Sequence, residues 1–215
     1  VCCNKLTTYN QLSPINVARI PTLPAATTTD LASLGLGPYV LKPCMGNGSR
    51  GIHIVASQDD YLHALSGCGD TDHIVQPYLG DPDHEYTASA FGLGNGHSLS
   101  PIVFRRLLST AGYTNYVEVQ PCPEIAATIE ALSRHLQPVG PTNYQFRLHE
   151  GRYYLLEINP RFSSSTSLKA AFGYNEATMC IQYFLQRETP PTPEILNGRA
   201  WRKISDLIIY ESPHQ

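Results

Sequence analysis

The sequence predicts an α+β fold in which antiparallel strands predominate and helices occupy separate stretches of the chain. Residues 85–91 and 98–106 are two runs rich in branched and aromatic side chains. The Asn95-Gly96 pair between these runs is a strong hairpin-turn signal. Residues 124–136 instead show apolar residues at helical spacing. Long connected antiparallel runs with helices set aside are typical of the α+β class.

The N-terminal part of the sequence contains short helices and strands in alternation. Prolines and glycines separate them, because these residues end regular structure. The predicted elements are a helix over residues 4–17, an extended connector over 20–24, strands over 39–43 and 52–55 that form a hairpin, a helix over 58–65 and a strand over 73–77.

The remainder of the sequence contains the longer strands. A Glu150-Gly151 turn joins two of them into a further hairpin. After the hairpin of residues 85–106, the predicted elements are a strand over residues 115–120, the helix over 124–136, strands over 142–149 and 152–159, a helix over 175–186, a loop over 190–198 and a final strand over 201–210.

The composition describes a compact globular protein. Of the 215 residues, 42% are hydrophobic and 15% are charged, which excludes an intrinsically disordered chain. A formal charge of −3 without a basic run argues against a nucleic-acid partner. We expect no membrane span and no signal peptide, since no long apolar stretch is present. Six scattered cysteines without a CxxC motif favour reduced thiols and a cytoplasmic location, and a secreted disulfide scaffold is the alternative.

The most informative motif combines Glu157, Asn159 and Arg161. The strand ends at Pro160, and Glu157 and Asn159 share one of its faces because side chains alternate along a strand. A carboxylate and an amide oxygen in this arrangement can bind a hard divalent cation. The guanidinium of Arg161 can hold phosphate oxygens beside it. An edge strand that ends in a charged turn is the alternative interpretation.

A glycine-rich loop follows the strand that ends near Lys42. Gly46, Gly48 and Gly51 allow the backbone to approach a phosphate closely, and Lys42 can add a positive charge. The lysine precedes the glycines and a strand follows them, so this is neither a Walker P-loop nor a Rossmann fingerprint. A flexible surface turn is the alternative.

A third segment can contact a nucleoside. Gln76-Pro-Tyr-Leu79 ends a strand, whose edge can offer a carbonyl and an N–H to a purine, and the Glu85 carboxylate can accept from two sugar hydroxyls. An ordinary connection between strands is the alternative.

Taken in order, these segments resemble the ATP-grasp family, and the last two look most like its carbamoyl-phosphate synthase branch. The resemblance extends from about Lys5 to about Gln182. The matching blocks are Lys42-Pro43, Gly48-Ser-Arg-Gly-Ile52, Ile74-Val-Gln-Pro-Tyr-Leu79, Glu85-Tyr-Thr87, Arg105-Arg106, Thr142-Asn-Tyr-Gln-Phe-Arg147 and Leu156-Glu-Ile-Asn-Pro-Arg-Phe-Ser-Ser-Ser165.

The resemblance implies two α+β lobes with a nucleotide cleft between their antiparallel sheets. Residues 1–20 would be a partial N-terminal helical segment, 21–78 the small lobe and 79–215 the large lobe. Relatives carry a Rossmann-like lobe before the position of Asn4. Two alternatives follow: the sequence is part of a longer protein, or that lobe is absent.

The resemblance also implies roles for individual residues. Arg161, with Arg105 or Arg106, would lie beside the transferring phosphoryl group and the acyl acceptor. Adenine would pair with the carbonyl of Pro77 and the N–H of Leu79. The implied Mg²⁺ (or Mn²⁺) ligands are Gln145, Glu157 and Asn159. The implied ATP-binding residues are Lys5, Lys42, Asn47, Gly48, Ser49, Arg50, Gly51, Gln76, Pro77, Tyr78, Leu79 and Glu85.

The implied activity is an ATP-dependent ligation of a small-molecule carboxylate to an amine, or less often a thiol, through an acyl phosphate. Ser164 departs from the carbamoyl-phosphate synthase pattern, which has an arginine there, and Pro77 replaces a frequent glutamate. Three alternatives stay open: a nucleotide-binding module without turnover, a carboxyphosphate-forming fragment and a kinase-like phosphotransferase. A homodimer is a further possibility.

Overall fold

The structure is a computed structural model that describes residues 2–46, 51–109, 112–203 and 208. It contains two antiparallel sheets, of four and six strands, with helices packed against both. The α+β class predicted from the sequence is confirmed. No helix within the described ranges has the length and apolar character needed to cross a membrane.

The first helix, α1 (Lys5–Gln11), lies before the first sheet. The side chain of Asn4 caps it by accepting a hydrogen bond from the N–H of Thr7 at 3.0 Å. The chain then forms a parallel bridge between Arg19 and Leu155, so this segment packs against the larger sheet.

The smaller sheet contains β1 (Leu23–Pro24), β2 (Tyr39–Pro43), β3 (His53–Val55) and β4 (His73–Pro77) in the order β1-β4-β2-β3. The helix α2 (Gln58–Ser66) follows β3 and is capped by the hydroxyl of Ser57. The core of this sheet buries Tyr61 completely. The predicted hairpin formed by β2 and β3 is confirmed.

The larger sheet contains β5 (Glu85–Leu93), β6 (Ile102–Leu108), β7 (Thr114–Val119), β8 (Val139–His149), β9 (Arg152–Asn159) and β10 (Arg199–Trp201). Their order is β10-β7-β6-β5-β8-β9, and neighbouring strands are antiparallel. Strand β5 is buried at every position except Leu93.

Helices cover both faces of the larger sheet. On one face lies α3 (Pro123–Leu136), whose apolar stripe packs into a core together with Leu12, just after α1, and residues of β5 and β8. On the other face lie α4 (Thr166–Ala171) and α5 (Glu176–Cys180), the latter continued by a π-helical turn, Ile181–Gln186. These helices form a second core with β6 and β7.

Several predicted boundaries were wrong. The first helix ends at Gln11 rather than at residue 17, because Pro14 disfavours helical conformation at the residue before it. The strand predicted over 98–106 begins only at Ile102, after Pro101, which has no N–H for a ladder. The final strand covers Arg199–Trp201 and pairs with β7. Arg202 and Lys203 are not in a strand, and most of residues 204–210 lie outside the described residues.

Candidate functional site

A cavity of about 530 Å³ lies between the two sheets. Both sheets contribute cationic and polar side chains to it, so its walls suit an anionic ligand. The lining residues are Lys5, Ile20, Val40, Lys42, Pro43, Met45, Gly46, Ile52, Ile54, Gln76, Pro77, Tyr78, Leu79, Glu85, Arg106, Leu108, Gly112, Tyr113, Asn143, Gln145, Arg147, Leu156, Glu157, Arg161, Ser163 and Ser164.

A β-bulge sets the direction of Glu157. Gln145 pairs with Glu157, whereas the next residue, Phe146, pairs with Leu155, so Leu156 is an extra residue in β9. In a regular strand, positions 155 and 157 would share a face. The bulge separates them: Leu155 is buried in the core beneath α3, and Glu157 lines the cavity.

The carboxylate of Glu157 contacts the polar side chains around it. The Nδ2 of Asn159 donates to the Oε2 of Glu157 at 3.1 Å, which leaves the Oδ1 of Asn159 facing the guanidinium of Arg161 at 3.4 Å. The ammonium of Lys5 lies 3.7 Å from the Oε1 of Glu157. Gln145 lies directly opposite Glu157 on β8 and also lines the cavity, so one carboxylate and two amide side chains share this face of the sheet, with two cations beside them.

This donor set fits a magnesium ion that also binds phosphate oxygens. No group of three His, Cys, Asp or Glu side chains converges anywhere in the described ranges. Mg²⁺ commonly uses only one or two carboxylates and takes its other ligands from substrate phosphates and water. Gln145, Glu157 and Asn159 would therefore hold such an ion only together with a nucleotide.

A row of three charged residues crosses the cavity wall. Glu85 lies directly opposite Arg147 on β8 and Arg106 on β6. The Nε and Nη2 atoms of Arg106 both donate to the Oε1 of Glu85, the first at 3.0 Å, and Arg147 donates to Oε2 at 2.7 Å. All three side chains are largely buried. One anion and two cations leave this row with a net positive charge.

The smaller sheet places an unusual lysine against the cavity. Burial, together with the positive charge of Lys5, lowers the pKa of Lys42 to about 8, whereas Glu157 acts in the opposite direction. Desolvation disfavours the charged form of an amine, so an anionic ligand beside Lys42 would raise this pKa again. Lys42 lies on β2, just before the glycine-rich turn.

The described part of the glycine-rich turn also faces the cavity. Gly46 lines it, and its carbonyl accepts a hydrogen bond from the Nζ of Lys5 at 3.2 Å. Gly51 has a φ of 68°, a left-handed conformation that favours glycine, but is not among the lining residues. The predicted phosphate contacts of Asn47, Gly48, Ser49 and Arg50 lie outside the described residues.

The predicted purine-binding segment lies at the end of β4. The N–H of Tyr78 donates to the carbonyl of Pro38 at 2.9 Å. Because the C=O and N–H of one trans peptide point in opposite directions, the carbonyl of Pro77 points away from β2. Leu79 also lines the cavity. The Nε2 of Gln76 donates to the hydroxyl of Thr22 at 2.6 Å, so this side chain orients the connector before β1.

The structure separates the two adjacent arginines of β6. Arg106 lines the cavity, whereas Arg105 lies on the opposite face and donates to the carbonyl of Asp83 at 3.2 Å. The catalytic role expected for Arg105 therefore does not fit this geometry. Asn159 is not a lining residue but contacts one, Glu157.

Sequence reasoning missed two polar residues of the cavity wall, Asn143 and Arg147. Both lie on β8, two positions before and two positions after Gln145. Because side chains alternate along a strand, the segment Thr142-Asn-Tyr-Gln-Phe-Arg147 already indicated that they share a face with Gln145. Arg147 also donates to the carbonyl of Leu79 at 3.2 Å, which connects the larger sheet to the end of β4.

Comparisons with known proteins identify the family and the fold. The family model described as ATP-grasp in the biosynthetic pathway with Ter operon matches residues 70–207, more than half of the chain. An uncharacterised protein, y4rH, of Sinorhizobium fredii (strain NBRC 101917 / NGR234) is 30% identical over 190 residues. The match covers 76% of this chain but 37% of that protein, so the chain spans little more than a third of this relative.

Solved structures share the fold at low sequence identity. The biotin carboxylase domain of Hydrogenobacter thermophilus 2-oxoglutarate carboxylase, complexed with MgADP, ADP and bicarbonate, has a TM-score of 0.75 at 14% identity, covering 92% of this chain and 49% of that one. The N5-carboxyaminoimidazole synthetase of Staphylococcus aureus, complexed with ADP, gives 0.76 at 16%, covering 91% and 54%.

The D-alanine–D-alanine ligase of Bacillus anthracis gives a TM-score of 0.65 at 19% identity, and the match covers 86% of this chain and 68% of that one. At such identities the likeness shows the fold, and the family-model match supplies the relationship. The ATP-grasp resemblance is confirmed, and the chain belongs to the ATP-grasp family described as acting in the biosynthetic pathway with Ter operon.

Proposed function

We propose that this chain forms the nucleotide and phosphoryl-transfer site of an ATP- and Mg²⁺-dependent ligase that joins a small-molecule carboxylate to an amine or thiol. The observation that carries this proposal is the convergence of two remote sequence segments in one cavity. Lys42 and Gly46 of the smaller sheet face Gln145 and Glu157 of the larger sheet across it.

The two sheets would hold different parts of ATP. The end of β4, where the carbonyl of Pro77 points away from β2, would pair with adenine. Glu85 would accept from the ribose, although both of its oxygens already accept from guanidinium groups. A carboxylate has about four lone-pair positions, so one sugar hydroxyl can still be accommodated. Lys42 and the turn after it would cover the phosphates.

The cations of the cavity would stabilise the transferring phosphoryl group. Phosphoryl transfer depends mainly on positioning and charge stabilisation, because the protein supplies little covalent chemistry. Lys5, Lys42 and Arg161 would do this, together with a metal ion that Gln145, Glu157 and Asn159 would hold. When bound, that ion would neutralise charge on the nucleotide phosphates.

The chemistry would then proceed in two balanced steps. A carboxylate oxygen of the substrate attacks the γ-phosphorus, the bond to the β–γ bridging oxygen breaks, and ADP leaves. An amine then attacks the acyl carbon, phosphate leaves with the bonding pair, and the nitrogen loses a proton. Arg106 and Arg161 would orient the carboxylate, and closure of the smaller sheet over the cavity would exclude water.

A hydroxamate assay tests this function. The protein is incubated with ATP, Mg²⁺, hydroxylamine and a panel of small carboxylates, and both hydroxamate and phosphate are measured. Replacing Glu157 with Gln should lower product formation at least about 100-fold, because it removes the carboxylate beside the metal and phosphates. Glu130→Gln on the outer surface of α3 is the matched control and should leave the rate unchanged.

The other outcomes identify the alternatives. Mg–ATP binding without phosphate release against any carboxylate would identify a nucleotide-binding module. A stable phosphorylated product would identify a kinase-like enzyme. Phosphate release with bicarbonate alone would identify a carboxyphosphate-forming fragment. Equal nucleotide affinity in wild type and Glu157→Gln would refute the site assignment itself.

A further inference from the structure

A buried ion pair lies behind the cavity wall, between α4, α5 and the larger sheet. Lys169 and Glu176 are both 0% exposed. The Nζ of Lys169 lies 3.2 Å from the Oε2 of Glu176 and 3.3 Å from its Oε1. Removing two charges from water is expensive, and the mutual attraction of a buried pair often only offsets this cost. Stability alone is therefore a weak reason for this pair.

The ammonium has a third partner, which lies on the sheet. Lys169 donates a hydrogen bond to the hydroxyl oxygen of Ser89 on β5. An ammonium is a donor only, so Ser89 accepts here and its own O–H is free to donate elsewhere. That hydroxyl lies 3.5 Å from the Oδ1 of Asn143, and the hydroxyl of Thr87 donates to the same oxygen at 2.8 Å.

The network therefore fixes which end of the Asn143 amide faces the cavity. Its Oδ1 is turned toward Thr87 and Ser89, so its NH₂ group is left on the other side. The side chain is 1% exposed and lines the cavity. Within the described part of the chain, its Nδ2 donates to no protein atom. Asn143 lies directly opposite Asn159 on β9, next to the metal-binding candidates.

We propose that the Lys169–Glu176 pair, acting through Ser89, positions Asn143 as a hydrogen-bond donor to an oxygen of the transferring phosphoryl group. Lys169, Glu176 and Ser89 are positioning residues, and Asn143 alone would touch the nucleotide. Asn143 is not assigned as a metal ligand, because its Oδ1 points away from the cavity and accepts from two hydroxyls, those of Thr87 and Ser89. The inference rests on the proposed function, since it needs a nucleotide in the cavity.

The geometry separates Asn143 from its neighbours on the same wall. Asn159 donates its NH₂ to Glu157 and keeps its oxygen toward Arg161, whereas Asn143 keeps its oxygen inward. The two amides therefore present opposite ends to the same region: an oxygen for a cation and an N–H for an anion. A hydrogen bond from a buried amide to a phosphoryl oxygen is stronger than the same bond in water, because the local dielectric is lower.

The test measures the affinity of the whole 215-residue chain for two probes. Mg–AMPPNP carries a γ-phosphoryl group that is not transferred, and Mg–ADP lacks that group. Ser89→Ala removes the link between Lys169 and Asn143. Ser133→Ala is the matched control, because Ser133 is also 0% exposed but lies on α3, across the sheet. Asn143→Asp keeps the inward-facing oxygen and removes the donor.

Loss of one hydrogen bond to a charged group corresponds to about 10- to 100-fold in affinity. We expect Ser89→Ala to weaken Mg–AMPPNP binding about 10-fold, with Asn143→Asp near the upper limit of that range. Mg–ADP affinity should change less than about twofold in Ser89→Ala and Ser133→Ala. A purely structural role of Ser89 would not distinguish the two nucleotides.

Three results would overturn the inference. Ser89→Ala with unchanged AMPPNP affinity, or with equal losses for AMPPNP and ADP, would remove the positioning role. Tighter Mn²⁺ binding by Asn143→Asp in the presence of ADP would identify position 143 as a metal ligand. A wild-type chain that binds neither nucleotide would refute the proposed function, and the inference with it, whereas the first two results leave that function intact.

Discussion

The pKa of Lys42 predicts a specific pH dependence of nucleotide binding. Burial and the charge of Lys5 lower this pKa to about 8 in the free protein. A triphosphate beside the ammonium favours its charged form, so binding should raise the pKa toward its usual value of about 10.4. The protonated form therefore binds more tightly. The affinity is fully present below about pH 8 and declines as the pH rises above that value.

The magnitude follows from the fraction of Lys42 that is protonated. This fraction is about nine-tenths at pH 7, one-half at pH 8 and one-tenth at pH 9. If only the protonated form binds strongly, the dissociation constant of Mg–ATP should be about tenfold larger at pH 9 than at pH 7. Binding near pH 8 should take up about half a proton per nucleotide, because the bound state is almost fully protonated.

Calorimetry measures both quantities. Titrations of Mg–ATP in buffers with different ionisation enthalpies give the number of protons taken up, and the pH series gives the affinity. The nucleotide phosphates are almost fully ionised between pH 7 and pH 9, since the second pKa of a phosphate group is about 6. Lys42→Arg is the control: a guanidinium stays charged, so proton uptake should vanish and the affinity should be flat. Equal proton uptake in both proteins, or a flat wild-type profile, would refute this reasoning.

Two further predictions follow from the larger sheet. Arg106→Lys should lower the ligase rate about tenfold, because a lysine cannot reproduce the pair of hydrogen bonds from Nε and Nη2 to Glu85. Arg105→Lys, on the other face of the sheet, is the control and should leave the rate unchanged. Equal losses of rate in both variants would contradict the assignment of faces. Gly92→Ala should lower the free energy of unfolding by about 1–3 kcal/mol, because an added Cβ would overlap the carbonyl oxygen of Pro138. Gly67→Ala, where the nearest atom is 3.5 Å away, is the control in urea denaturation, and equal stabilities of the two variants would refute the packing argument.

The order of the candidate segments could be predicted because each depends on local chemistry. The hairpin of β8 and β9 follows from a Glu-Gly turn between two alternating runs, and the predicted bounds of β9 agree with the structure. The ends of the first helix and of β6 were misplaced at prolines, where a missing N–H outweighs propensity. The short strand β1 was predicted only as an extended connector, because two residues carry no periodicity.

The site required the tertiary structure. Strand periodicity places Arg105 and Arg106 on opposite faces, but only the packing of α3 decides which face is covered and which faces the cavity. The bulge at Leu156 has no sequence signature, yet it separates Leu155 from Glu157.

The sequence by itself determined the two groups of residues that would bind a triphosphate and its metal, since turn chemistry and strand alternation are local properties. Only the tertiary structure decided that these groups face one another, that Glu85 already has two guanidinium partners, and that Lys169 lies behind Asn143. The physical reason is that contacts between remote segments depend on the packing of whole sheets and helices, in which no single segment is decisive.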